Sequence, residues 1–412
     1  MSSASTITAL QKLFKTVYVG RDLSNQAKRR TVAYDMVAKY DDFDGANLTF
    51  PFNYALPVGV SSTFATAQAS PAASKFDNWV MTTRKTLYGF LTIDAQAMKA
   101  SRKDIGAFLR LRQKETNEIL SYMKMVLGGH AFWGDGAGNM GQLLSVTGGG
   151  PITAFTLLEP KDAIKFHINQ RLQFNPTRTG TAGNMRGGTF KVTGINRVTG
   201  VITVSLAASS GDPQANDYVY LEGTYDAFPL GMSAFIPATD PGVSGVPTTL
   251  LGMPRTDDIT MKSGWRAAWQ GSIEESAKFL VSLMGQYFDR ENSVLWLSRI
   301  NWFRLEQELN VQGRKVIDPR ATQVFGSPAL LLVTPEGDIP VVADGYMLND
   351  TGFLLDMSTV ETHHLDNLIH IVDDDGLSLI RQTADDGVEV RFRSWSENLV
   401  LHPFKCGRFT IV

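Results

Sequence analysis

Residues 50–141 read FPFNYALPVGVSSTFATAQASPAASKFDNWVMTTRKTLYGFLTIDAQAMKASRKDIGAFLRLRQKETNEILSYMKMVLGGHAFWGDGAGNMG, and the parsing of this stretch decides the fold. It opens with more than forty residues of sparse, extended chain rich in Ala, Ser and Thr, from Phe50 to Thr92. The flanks, Phe50-Pro-Phe-Asn-Tyr54 and Trp79 to Ile93, carry the aromatic and β-branched residues of strands. Between them, Ser61 to Ser74 is almost all small side chains around Pro71, too little area to offset its own ordering entropy. A long β-hairpin with a mobile tip is the economical reading. One helix follows, from Ser101 to Leu127. Ser101 and Asp104 stand at capping-box spacing. Ile105, Phe108, Leu109, Ile119, Leu120, Met123, Val126 and Leu127 recur with helical period as one apolar stripe. Gly128-Gly129 offers the left-handed residue that stops a helix. The result is a rod of roughly 40 Å bracing an arm that has no core of its own. Such an arm finds its packing surface elsewhere, and a neighbouring copy of the same chain is the first candidate.

The remaining composition narrows the class. A chain of 412 residues corresponds to two or three units, and 43% hydrophobic with 19% charged residues is ordinary globular material. A net charge of −2 argues against a dedicated nucleic-acid binder. The single cysteine, Cys406, excludes an intrachain disulfide and a cysteine zinc site, and fits a reducing compartment. Gln11, Lys12 and Lys15 interrupt any signal-peptide core. The longest apolar run, Ala329 to Val333, is far short of the ~20 residues of a membrane helix. The expectation is a soluble chain made in the cytoplasm. Residues 1–48 are basic at Lys12, Lys15, Arg21, Lys28, Arg29, Arg30 and Lys39. They read either as a tail against an acidic surface or packaged nucleic acid, or as a solvated terminus balanced by Asp41, Asp42 and Asp44.

From Phe155 to Gly223 the texture turns to short strands: Phe166–Phe174, Thr189–Thr193, Val201–Ser205 and Tyr218–Leu221. Gly, Asn and Pro turns separate them, as in a small barrel or sandwich inserted between Pro151 and Phe228. A linker, Ile236 to Pro254, leads to a helix from Ser272 to Phe288 with a full capping box at Ser272 and Glu275, and to a short helix from Asn301 to about Leu309. Strands then dominate: Ala329–Val333, Ile339–Ala343, Phe353–Asp356, Leu368–Val372, Leu377–Arg381, Val388–Arg393 and Arg408–Val412. Asp375-Gly376 and Asp386-Gly387 mark turns. The class is α+β, with a mostly antiparallel sheet and segregated helices.

No chemical motif survives its context. Gly136-Ala-Gly-Asn-Met-Gly141 matches G-x-G-x-x-G but follows a helix and leads into loop, whereas a dinucleotide site needs a strand before it and a helix after it. His363, His364, Asp366 and His370 could ligate zinc, yet no H-E-x-x-H is present and a polar connector explains them. Asp373-Asp-Asp-Gly376 lacks the alternate spacing of a calcium loop and reads as a turn. Cys406 with His402 nearby is a conceivable nucleophile pair, and simple packing is the plainer reading. No cofactor or metal is expected, and no enzymatic activity.

In order, these stretches resemble the major capsid proteins of tailed bacteriophages, the Hong Kong 97-type shell fold. Gly59-Val-Ser-Ser-Thr-Phe64 and Arg84-Lys-Thr-Leu-Tyr88 look like that family's extended loop, and Ser101 to Gly141 its spine helix and following turn. Ile259 to Leu309, with Val294-Leu-Trp-Leu-Ser298, is similar to its peripheral domain. Val341-Val-Ala-Asp344, Phe353-Leu-Leu-Asp356 and Ser394-Trp-Ser-Glu-Asn-Leu399 through Ile411 resemble its axial domain and closing strand. The resemblance implies an N-terminal arm (1–49), an extended loop (50–98), a spine helix and the start of the peripheral domain (99–154), an inserted β domain (155–227), the rest of the peripheral domain (228–316), and an axial domain with closing strand (317–412). It implies a non-enzymatic subunit of an icosahedral shell around double-stranded DNA, built from hexamers and pentamers and found in the virion after synthesis in the host cytoplasm. A scaffolding protein, a portal and decoration proteins are its implied partners, DNA is enclosed without sequence-specific binding, and no membrane is involved. Phe64, Lys75, Trp79 and Arg84 are the expected subunit-interface residues. One branch of the family joins subunits by Lys–Asn isopeptide bonds. Lys75 and Lys85 lie on or near the loop, but no matching Asn and Glu is placed, so that chemistry is not carried over. The alternatives are an encapsulin-like compartment subunit and a His-cluster metallo-hydrolase using His363, His364 and His370.

Overall fold

Trp79 and Trp296, far apart in sequence, lie in one apolar cluster that gathers both halves of the chain. The computed structural model describes residues 35–57, 59–69, 73–94, 105–148, 152–178, 185–206, 213–243, 245–311, 316–318, 329–372, 380–381 and 387–412. Strand β1 (Ala38–Asp41) comes first. Then β2 (Leu48–Ala55) and β3 (Lys75–Met81) pair antiparallel, from Leu48 opposite Met81 to Ala55 opposite Lys75. Their tip carries one short helix, α1 (Phe64–Ala69), with no buried residue. Strand β4 (Lys85–Asp94) then leaves the hairpin for a different sheet. The strand expected from Trp79 to Ile93 is therefore broken at residues 82–84. Arg84 fixes the corner by donating to the Phe43 carbonyl at 2.5 Å.

Helix α2 (Ile105–Trp133) is 29 residues long, roughly 43 Å. The expected stop at Gly128-Gly129 is wrong: the helix runs through both glycines and ends at Gly134, whose amide bonds the His130 carbonyl at 2.9 Å. Every residue from 125 to 132 is buried. Each helical glycine costs about 1 kcal/mol relative to alanine, and burying side chains such as Leu127 and Phe132 outweighs that cost. The expected cap at Ser101 and Asp104 lies outside the described residues.

The next six strands close into a barrel: β5 (Asn139–Thr147), β6 (Ala154–Leu157), β7 (Arg171–Asn175), β8 (Phe190–Asn196), β9 (Val201–Leu206) and β10 (Tyr218–Leu221). Its interior holds Phe155, Phe166, Phe174 and Phe190 among aliphatic residues. The barrel starts at Asn139, earlier than the expected Phe155, because β5 supplies the strand that joins β10 to β6. The glycine run 136–141 accordingly turns from helix into strand and not into loop. Gly138 has φ +79, and a Cβ there would stand 2.5 Å from the Thr224 carbonyl oxygen. Where the chain leaves the barrel, Leu230 bridges back to Asp135, so both ends of the module meet at the foot of α2.

After α3 (Met232–Phe235) and the small pair β11 (Thr249–Leu250) and β12 (Met253–Pro254), the body of the molecule is built. It comprises α4 (Ile259–Ser263), β13 (Trp265–Ala267), α5 (Ile273–Met284), β14 (Ser293–Ser298), α6 (Arg299–Val311), β15 (Val316–Asp318), β16 (Ala329–Thr334), β17 (Gly337–Asp344) and β18 (Thr351–Asp356). It ends with β19 (Val360–His364), β20 (His370–Ile371), β21 (Ile380–Arg381), β22 (Gly387–Val400) and β23 (Gly407–Thr410). The Ser272 hydroxyl caps α5 by accepting from the Glu275 amide at 3.1 Å. A seven-stranded sheet runs β13-β23-β18-β14-β17-β16-β15 and is mixed, since β13–β23 and β14–β17 are parallel pairs. Its centre, β14 and β18, is buried at every residue. Leu295, Leu297 and Leu354 pack with α5 and α6 on one side, while Val294, Trp296 and Phe353 join the Trp79 cluster on the other. The second sheet, of six strands, is organised by β22, 14 residues long, which pairs with β4, β19, β20 and β21. The expected turns at Asp375-Gly376 and Asp386-Gly387 are not tested, because residues 373–379 and 382–386 lie outside the described residues.

Candidate assembly surface

Two of the surfaces that carry exposed apolar side chains among the described residues lie on the arm and on the ribbon beside it. The first is the arm. Alternation along β3 turns Trp79 and Met81 inward, where both are buried with Phe52. The Trp79 indole donates to the Leu401 carbonyl at 3.1 Å. Trp79 is therefore a core residue of its own chain, which corrects its reading as an interface residue. Arg84 is likewise engaged within the chain, bonding the Phe43 carbonyl with its guanidinium 5.2 Å from the Phe43 ring centroid. Lys75 is exposed, and Phe64 stands out at 82% exposure on α1. Around them the structure adds Leu56, Val60 and Phe76, all well exposed, which sequence reasoning passed over.

The paired strands of the arm are held firmly. Lys262 on α4 is buried; its ammonium donates to Asp77 on β3 and to Asp257 at 2.9 Å. It also lies 3.9 Å from the Tyr54 ring centroid on β2. The Val80 amide donates to the Leu251 carbonyl at 2.8 Å. The paired part of the arm is thus fastened to the body as far as its turn end, and the exposed apolar groups lie at and beyond that end.

The second surface is the outer face of the β4–β22 ribbon, paired over ten positions from Gly387 opposite Asp94 to Ser396 opposite Lys85. Leu91 and Ile93 face inward onto Met123 of α2. Gly89 lets the strand approach that helix, since a Cβ there would meet the Met123 sulfur at 2.8 Å. On the opposite face, Tyr88 and Phe90 are more than half exposed, across from Arg393 and Arg391. Arg393 sits 4.2 Å from the Trp395 ring centroid. A signal for this face was present in the sequence: Lys85 to Ile93 is apolar on both faces of its period-2 pattern, and one helix covers only one. A further exposed group, Ile300, Phe303 and Val311, lies on α6.

The alternative chemical sites do not assemble. His363 and His364 are successive residues of buried β19, so their side chains leave opposite faces. This replaces the polar connector expected there. His363 bonds Asp42 at 2.7 Å and Glu361 at 3.2 Å, His364 reaches the Asp366 carbonyl, and His370 accepts from Arg393. Among the described residues no three His, Cys, Asp or Glu side chains are grouped as metal ligands. Cys406 is buried beside Thr359 at 3.7 Å, and burial pushes its thiol up to about 12, far from a reactive thiolate.

No protein-family model and no curated protein sequence matches the chain. Solved structures do. The chain is similar to a subunit from the capsid of a native GTA particle, with a TM-score of 0.51 and 9% identity over 100% of both chains. It is similar to a subunit of the capsid of Cyanophage A-1(L), with a TM-score of 0.56 and 9% identity over 97% of both chains. At that identity the correspondence is one of fold alone, along nearly the whole chain. The chain shares the α+β fold of these two capsid subunits.

Proposed function

We propose that the chain is a major capsid protein that self-assembles into the icosahedral shell enclosing the double-stranded DNA of a tailed bacteriophage. The observation that carries this reading is the full-length match in architecture to capsid subunits, with four well-exposed apolar residues, Leu56, Val60, Phe64 and Phe76, on the arm. A closed shell needs heterologous contacts, in which one patch of a subunit meets a different patch of its neighbour. The arm around Phe64 and Phe76, the ribbon face at Tyr88 and Phe90, and the α6 group are separate patches that suit such contacts. Each contact can be modest, because many act together at high effective concentration.

Within this reading, residues 1–49 are an N-terminal arm, 50–98 the extended loop, and 317–412 the axial domain with its closing strand. The barrel, from Asn139, is an insertion between the spine helix that opens residues 99–154 and the rest of the peripheral domain, 228–316. Phe64 and Lys75 are interface residues on the loop. Hexamers and pentamers, a scaffolding protein, a portal, decoration proteins and residence in the virion follow from the same reading. The subunit acts by assembly and performs no catalysis. The direct test is deletion of Ser61 to Ser74. It should abolish shell formation while leaving a folded subunit with the melting temperature of the intact chain; normal particles from that variant would refute the role of the arm.

A further inference from the structure

A cleft of ≈ 620 Å³ lies where the barrel meets the segment after α3 and the end of β23. Its carboxylates are all engaged. Asp135 pairs with Arg178 at 2.6 Å, Asp162 with Lys165 at 2.7 Å, and Lys161 with both Asp350 at 2.9 Å and Glu159 at 3.6 Å. Two further cations line the cleft, Arg255 and Arg408; among the described residues neither forms an ion pair, although the Asp350 carboxylate, already paired with Lys161, acts on Arg408 from a distance.

Both guanidiniums are fixed in place by neutral groups. Arg255 is fully buried and donates to the Ala234 and Pro247 carbonyls, each at 2.7 Å, and its Nε–H has no partner among the described residues. Arg408, partly open, donates to the Ile236 carbonyl at 3.3 Å and to the Thr351 hydroxyl at 2.9 Å. Its guanidinium lies 5.4 Å from the Phe353 ring centroid. Those two bonds use two of its five N–H donors. Arg266, the register partner of Arg408 on the adjoining strand, brings a third positive charge, tied to Asp240 at 2.5 Å. Burial lowers both Arg255 and Arg408 to about 10, so both stay charged at neutral pH. A fixed, desolvated cation without a direct ion-pair partner is costly, and an anion bound beside it relieves the cost.

We propose that this cleft binds a phosphate group, with Arg408 as the ligand that touches it and Arg255 as a fixed positive charge in the wall. An immobilised guanidinium fork matches a phosphate's oxygens in pairs, and the cleft volume suits a small molecule. The phosphate is either free or carried on a nucleotide. The site does not depend on the shell reading.

The test is thermal melting of the purified full chain titrated with inorganic phosphate, adenosine monophosphate or acetate, each against sodium chloride at equal ionic strength. Both phosphates should raise the melting temperature by a few degrees in a saturable way, with acetate weaker. Tighter binding of the nucleotide identifies a carried phosphate, and equal binding identifies a free one. Arg408→Gln should weaken phosphate binding ~10-fold or more. Arg408→Lys, which keeps the charge and most of the packing, should fold as the parent does and still bind measurably less well. Phosphorus NMR line broadening on the parent chain gives a second reading that needs no variant. No saturable effect of either phosphate, or full binding in Arg408→Lys and Arg408→Gln alike, overturns the proposal.

Discussion

Glu397 and His363 are register partners on β22 and β19, and both are buried. Burial pushes the Glu397 carboxyl up to about 7, although the Leu230 amide at 2.6 Å and the Asn398 amide at 3.2 Å favour its ionised form. A carboxyl whose folded pKa is raised binds its proton more tightly when folded, so its stabilising effect is full below the unfolded value and is lost as pH rises through about 7. The interval from 4.5 to about 7, at ~1.4 kcal/mol per pH unit, bounds the effect at roughly 3 kcal/mol. Burial also disfavours the His363 imidazolium, but hydrogen bonds to Glu361 and Asp42 outweigh it and hold the pKa above the usual range. Its contribution is likewise full below the ordinary histidine value and lost as pH rises through the raised one. Glu397→Gln keeps the acceptor oxygen and removes the titration. The variant should gain on the parent between pH 5 and pH 8 in denaturant melts, by up to about 3 kcal/mol; a parent-to-variant difference independent of pH contradicts the assignment. Gly138 makes a second residue-scale case. With φ +79 and the Thr224 carbonyl 2.5 Å from the site of a Cβ, Gly138→Ala should cost about 1–3 kcal/mol by chemical denaturation.

At the scale of elements, what was legible followed local rules and what was not followed tertiary ones. The start of α5 was readable because Ser272 and Glu275 satisfy the first amides of the helix by themselves. The end of α2 was not, because two glycines that would stop an isolated helix are buried on every side. β14 was recognisable only by resemblance, since a strand buried on both faces shows no alternation. The opening strand of the barrel was hidden behind a glycine run that looked like loop. Trp79 was misjudged for another reason: composition locates an arm, but the side on which each residue faces depends on register, and one position moves a residue from solvent to core. Tyr88 and Phe90 are the converse, two aromatics exposed on β4 whose pattern predicts a covered face. Replacing both with serine should leave the melting temperature within a few degrees of the parent, because neither packs in the core. It should also shift assembly to higher protein concentration in light scattering. A large loss of stability would place the pair inside the fold instead.

The whole molecule is an anchored arm, a long helix, a barrel and two sheets, each of the larger units with its own apolar cluster. These parts make a stable body, and the Lys262 cage with Asp77 and Tyr54 fastens the arm to it. Among its exposed apolar groups are those on the arm tip, the ribbon face and α6, surfaces that a closed shell of many copies would cover. The central claim is assembly, and electron microscopy of the purified chain in negative stain, alone and co-expressed with a scaffolding protein, tests it most directly. Closed shells of uniform diameter should form under at least one of the two conditions and be lost on deletion of Ser61 to Ser74. A chain that stays monomeric at every concentration, with and without the scaffold, would contradict it.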